Sequence, residues 1–111
     1  SRVFLDTVGI IALLDEADQW HDRADEACGR LRANNARLCT SSYVLLECGN
    51  AAARRPYRGA VADLARQLSE RGELVHPVDS EWLAAWHVYE IAHAGGPSIV
   101  DCVSFEVMSL L

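Results

Sequence analysis

The chain of 111 residues has only four cysteines, at 28, 39, 48 and 102, and no two of them form a CxxC pair. Zinc knuckles and thiol–disulfide redox sites are built on such pairs, so this spacing argues against both. Each cysteine falls inside an apolar pattern and is expected to be a buried, reduced thiol. The histidines, His21, His76, His87 and His93, are too scattered for a transition-metal site. No apolar run approaches the length of a bilayer span, and no basic segment followed by a hydrophobic stretch opens the chain. A cytoplasmic protein with no membrane association is expected. Positive charge is scarce too: 10 Lys+Arg stand against 16 Asp+Glu, for a formal net charge of −6. That balance disfavours broad, non-specific binding to polyanions through a basic surface, but not contact mediated by metal ions. Arg54, Arg55 and Arg58 form one local basic cluster.

What the chain does have is core-forming material. Half of its residues are hydrophobic, enough for one domain spanning 1–111. Arg2 to Leu5 reads as a buried parallel strand, followed by a short helix from Val8 to Leu14 that is apolar nearly all round. Asp18 to Ala33 carries Ala24, Ala27, Cys28 and Leu31 at helical spacing. After a turn at Asn34-Asn35, Arg37 to Thr40 forms a second strand, and Ser41 or Ser42 caps a third helix that ends near Arg55, ahead of Pro56. Tyr57 to Arg71 is a fourth helix with Val61, Leu64, Ala65 and Leu68 on one face and Gly72 as its stop. Leu74 to Val78 is a third strand, placed at a sheet edge because Pro77 cannot donate to a ladder. Asp79 is expected to cap a fifth helix with Trp82, Ala85, Trp86 and Tyr89 facing inward. Gly95-Gly96-Pro97 breaks the chain, and Ser98 opens a last helix. Strands alternating with helices imply an α/β fold with a central parallel sheet.

Three acids sit where this pattern wants apolar groups. Asp6 follows the first strand, taken here as central in the sheet. Glu47 lies beside the stripe Val44, Cys48 and Ala51. Asp101 shares a stripe with Phe105 and Met108, which turns it toward the interior. Ligand sites of open α/β sheets lie at the carboxyl ends of the strands, so the three are expected to converge there. Unpaired buried carboxylates are costly and repel one another, and a divalent cation removes both penalties. An all-carboxylate set suits a hard ion, Mg²⁺ or Mn²⁺, whose bound water can attack a phosphodiester. Each acid also has a structural explanation. Asp6 fits an N-cap, Ser98 to Asp101 fits a capping box, and Glu47 fits a surface position in mid-helix. Thr7 is a hydroxyl available to the metal site, and Asn50 and Arg54 share the face of Glu47, where they can contact phosphate or simply be solvated.

The segments "VFLDTVGIIALLDEADQWHDRA", "LCTSSYVLLECGNAAARR" and "PSIVDCVSFEVM" resemble the three signature blocks of PIN-domain proteins, and most nearly those of VapC-type toxins of toxin–antitoxin systems. The last block is the most specific, with Ser98, Asp101, Cys102, Ser104 and Phe105 all matching. The resemblance implies a three-layer αβα domain and an endoribonuclease dependent on Mg²⁺ or Mn²⁺. It assigns Asp6, Glu47 and Asp101 to the metal, with a water positioned for in-line attack on RNA. It also implies a homodimer and a cognate antitoxin that inhibits by covering the cleft, often with an arginine. The sequence departs from the family pattern at Val8, where a small polar residue is usual. It also stops at Leu111, where relatives usually continue into a further strand and a fourth acid, so the domain is expected to be incomplete at its C-terminal strand. These departures support an alternative, a PIN fold kept for binding antitoxin or RNA with weak or lost hydrolysis. A phosphatase with an aspartyl nucleophile is a third possibility, disfavoured because Val8 stands where such enzymes carry a second Asp.

Overall fold

The computed structural model describes residues 1–111 and is built on a three-stranded parallel sheet in the order β1-β2-β3. Strand β1 is Arg2–Phe4, β2 is Arg37–Ser41 and β3 is Leu74–Val75. The register pairs Val3 with Leu38 and Phe4 with Cys39, then Thr40 with Leu74 and Ser41 with Val75. The central strand is therefore β2 rather than β1, which corrects the expected position of the strand preceding Asp6. The buried run Leu38 to Ser41 accounts for this, because a middle strand must be covered on both faces. β3 lies at an edge, as Pro77 requires, but shrinks to two residues.

Six helices cover the sheet. They are α1 (Thr7–Leu14), α2 (His21–Ala33), α3 (Ser42–Ala52), α4 (Arg58–Glu70), α5 (Asp79–Ile91) and α6 (Ile99–Ser109). The expected start of α2 at Asp18 is replaced by a turn in which Asp18 Oδ1 accepts the Trp20 amide at 2.8 Å. α3 stops at Ala52, short of Arg55. α4 ends where Gly72 turns the chain at φ +67°, a backbone conformation that an L side chain resists. α5 begins at Asp79, but its first amide donor, Val78 N–H, is satisfied by the buried Glu81 at 2.8 Å, not by Asp79.

Apolar side chains gather in two clusters. Ile10, Val44, Leu45, Cys48, Ala52, Val61 and Leu68 join α1, α3 and α4. Ala85, Cys102, Val103 and Val107 join α5 to α6. Leu74 packs on the first cluster and its neighbour Val75 on the second, the alternation of a strand with a layer on each face. The four cysteines are buried and free, as their apolar contexts predict. No helix is long and apolar enough to cross a membrane.

Three expected inward faces differ. In α3 the buried stripe is Val44, Leu45, Cys48 and Ala52, with Ala51 exposed. In α6 it is Cys102, Val103 and Val107, which leaves Asp101, Phe105 and Met108 on the outer face. In α5 only Ala85 is fully buried, while Trp82, Trp86 and Tyr89 keep 40–47% of their surface exposed. In each helix two or more apolar stripes compete, and periodicity alone does not say which meets the sheet.

Candidate active site

Asp6 leaves the carboxyl end of β1 in extended conformation and becomes the N-cap of α1. Its Oδ1 accepts the Gly9 amide at 2.7 Å. The approach is close enough that a Cβ at position 9 would stand 3.0 Å from that oxygen, so glycine there leaves the carboxylate its place. Next to the site, Thr40 donates its hydroxyl to the Leu5 carbonyl at 2.6 Å, and the Leu5 amide donates to the Cys39 carbonyl at 2.8 Å. These bonds fix the end of β1 against the central strand and hence fix where Asp6 starts.

Glu47 sits in the second turn of α3, after the carboxyl end of β2. Ser41, fully buried, caps that helix by accepting the Val44 amide at 3.2 Å. The Thr7 hydroxyl donates to Glu47 Oε1, across 40 positions of sequence. One residue after Asp6, α1 is thus bonded directly to the glutamate of α3. The same neighbourhood is registered by Cys48. Burial pushes its thiol up to about 11, and the negative charges of Glu47 and Asp6 push in the same direction.

Asp101 lies in the first turn of α6 and is exposed. It forms the capping box, with the Asp101 amide donating to Ser98 Oγ at 3.0 Å and the Ser98 amide donating to Asp101 Oδ2 at 3.2 Å. Burial of the adjacent Cys102 raises its thiol, and the Asp101 charge adds to the shift. The capping roles of Asp6 and Asp101 are both present, and Glu47 alone of the three is held by a distant side chain.

A groove of about 460 Å³ connects these elements. Glu47 and Asn50 form its polar part, Tyr43, Trp82 and Trp86 its aromatic wall, and Ile99 and Val100, just before Asp101, its far end. Arg54 lies beyond α3, exposed and in no ion pair. A second cavity of about 360 Å³, between Leu14, Cys28 and Leu64, contains none of the three acids.

The donor set fits a hard divalent cation, being all oxygen. Asp6, Glu47 and Asp101 each use one oxygen in the hydrogen bonds above and keep the other free of protein partners. A closed cluster is not formed: no three His, Cys, Asp or Glu side chains are gathered in a metal-holding arrangement. Asp6, Thr7 and Glu47 are brought together, while Asp101 and Ser98 stand at the α6 end of the groove. The aromatic wall was not anticipated as part of a site, because an i, i+4, i+7 aromatic run reads first as core.

The PIN domain family model matches residues 3–110. No curated protein matches the chain. Among solved structures, the chain is similar to the crystal structure of Mycobacterium tuberculosis VapC20, a toxin that cleaves the sarcin–ricin loop. The TM-score is 0.75 at 26% identity, covering 99% of this chain and 82% of that one. Strand order, helix succession and the match over nearly its whole length place this chain in the PIN-domain family, with a fold like that of a VapC-type toxin.

Proposed function

We propose that this PIN-domain protein is an endoribonuclease toxin dependent on Mg²⁺ or Mn²⁺, with Asp6, Glu47 and Asp101 as its metal-holding acids. The observation that carries this is the Thr7–Glu47 hydrogen bond, which seats a carboxylate from α3 beside the one that ends β1. Hydrolysis of RNA is the activity printed for the similar VapC20 toxin. A bound divalent ion supplies an activated water and offsets the charge of the scissile phosphate. Asp6, pinned through Oδ1 by Gly9, offers its second oxygen to the ion. Thr7 holds Glu47 in the rotamer that faces Asp6, and Ser98 orients Asp101 in the same manner. Asn50 and Arg54 contact the substrate phosphates from the face of α3 that carries Glu47.

The same electrostatics select the partners. A chain of net charge −6 with an acid-lined cleft favours a basic antitoxin segment that places an arginine among the acids. The toxin acts as a homodimer in the cytoplasm.

The test is cleavage of RNA by the purified chain with Mg²⁺, compared with Asp6→Asn. Asparagine caps a helix as well as aspartate does, so the variant keeps its fold while losing the charge. The expected result is a loss of at least about a hundred-fold in cleavage with an unchanged melting temperature. Equal cleavage by both proteins would overturn the proposal. RNA binding without metal and without cleavage would support the binding-only alternative, to which the exposed Val8 beside Asp6 belongs.

A further inference from the structure

Four aromatic rings run in sequence along the groove that holds Glu47. Tyr43 meets Trp82 with centroids 5.8 Å apart and planes at 87°, Trp82 meets Trp86 at 5.7 Å and 74°, and Trp86 meets Tyr89 at 5.3 Å and 78°. Edge-to-face contact is a favourable aromatic geometry, and each ring braces the next. A core would have covered this stripe, yet Trp82, Trp86 and Tyr89 remain 40–47% exposed. The ladder is therefore rigid, with tryptophan surface accessible to solvent. It is also continuous with the polar part of the groove, where Tyr43 stands one helical turn before Glu47 and Asn50 follows on the same side of α3.

We infer that this ladder is a stacking platform for unpaired RNA bases, with Trp86 as a substrate-positioning residue that sets a preference for single-stranded or splayed RNA. The inference rests on the nuclease proposal for its substrate. Every base has a π-face, so aromatic platforms hold single strands without reading sequence, whereas a base kept inside a duplex presents no free face. An acidic protein with few cations near its cleft gains little from phosphate attraction, and stacking supplies affinity that does not depend on charge. A phosphate whose flanking base rests on Trp82 or Trp86 is delivered to the side of α3 that carries Glu47 and Asn50. A second copy of the chain laid over the ladder would close the same groove, which argues for RNA as the occupant.

The experiment titrates the full chain with a short mixed-sequence single-stranded RNA and with its duplex, in buffer without divalent ions, following tryptophan fluorescence. Cleavage kinetics with Mg²⁺ are measured alongside. Trp86→Ala is compared with Trp86→Phe, which keeps a ring, and circular dichroism verifies that both are folded. The expected results are quenching by the single strand and little by the duplex. Trp86→Ala should weaken binding by between about five- and a hundred-fold and raise KM without a matching loss of kcat, with Trp86→Phe recovering most of both. Unchanged affinity and KM in a folded Trp86→Ala variant would overturn the inference. So would a variant that turns a dimer into a monomer at unchanged affinity per chain, because the ladder would then be a protein interface. An inactive chain that still loses RNA affinity through Trp86→Ala would sink the nuclease proposal and uphold stacking; an active chain indifferent to that change would do the reverse.

Discussion

The two faces of the sheet are packed to different depths. Against one, α1, α3 and α4 bury Ile10, Val44, Leu45, Cys48, Ala52, Val61 and Leu68, with Phe4, Leu14, Tyr57 and Leu64 packed around them. Against the other, α5 and α6 meet through Ala85, Cys102, Val103 and Val107, a thinner seam of small side chains. The large apolar groups of that pair, among them Trp82, Trp86, Phe105 and Met108, remain on its outer surface. The thick side anchors Asp6 and Glu47 to the sheet, and the thin side presents rings and Asp101 to the solvent. Stability and recognition are divided between the two layers.

The sharpest way to break this comparison is to remove equivalent support from each side. Ile10→Ala, which empties a fully buried site of the thick cluster, is expected to cost about 3 kcal/mol in urea unfolding, and Val107→Ala in the thin seam about 2 kcal/mol. Equal or reversed losses would mean that the layers do not differ as their side chains imply.

Alkaline pH sharpens the contrast next. The Cys48 thiol, raised to about 11 by burial and by Glu47 and Asp6, stays protonated in the folded chain at pH values where an unfolded one ionises. Its contribution is therefore fully present below about pH 9 and is lost as pH rises from 9 through 11, a fall of about 2 to 3 kcal/mol. Melting curves across that window should flatten in Cys48→Ala, and by more than in Cys102→Ala. A native curve already flat between pH 9 and 11 would contradict the assignment.

The smallest effect is at the edge of the thin layer. Ser98→Ala removes the α6 cap and is expected to cost about 1 kcal/mol in thermal denaturation, with Ser98→Asn recovering most of it. No loss in Ser98→Ala would show that the α6 terminus does not depend on its box.

The same division explains what could be read from residues alone. The thick side was legible because α2 and α4 each have one apolar stripe, so Cys28, Val61 and Leu68 had only one way to face. α5 and α6 are apolar on more than one side, and their orientation was set by the seam they share. Trp82 and Phe105 accordingly came out exposed where the periodicity had put them inside. In the candidate site, Asp6 was marked by its position after a strand and Asp101 by its capping box. The Thr7–Glu47 bond was not legible, since 40 positions separate its ends and only the docking of α1 on α3 brings them together. The central place of β2 was equally hidden, because strand order depends on crossovers that no local pattern encodes.

That bond between α1 and α3 also makes the pair of acids sensitive to leverage. An inhibitor has no need to occupy the cleft: a wedge driven between the two helices elsewhere along their seam would part Thr7 from Glu47 and disarm the protein with every carboxylate still intact.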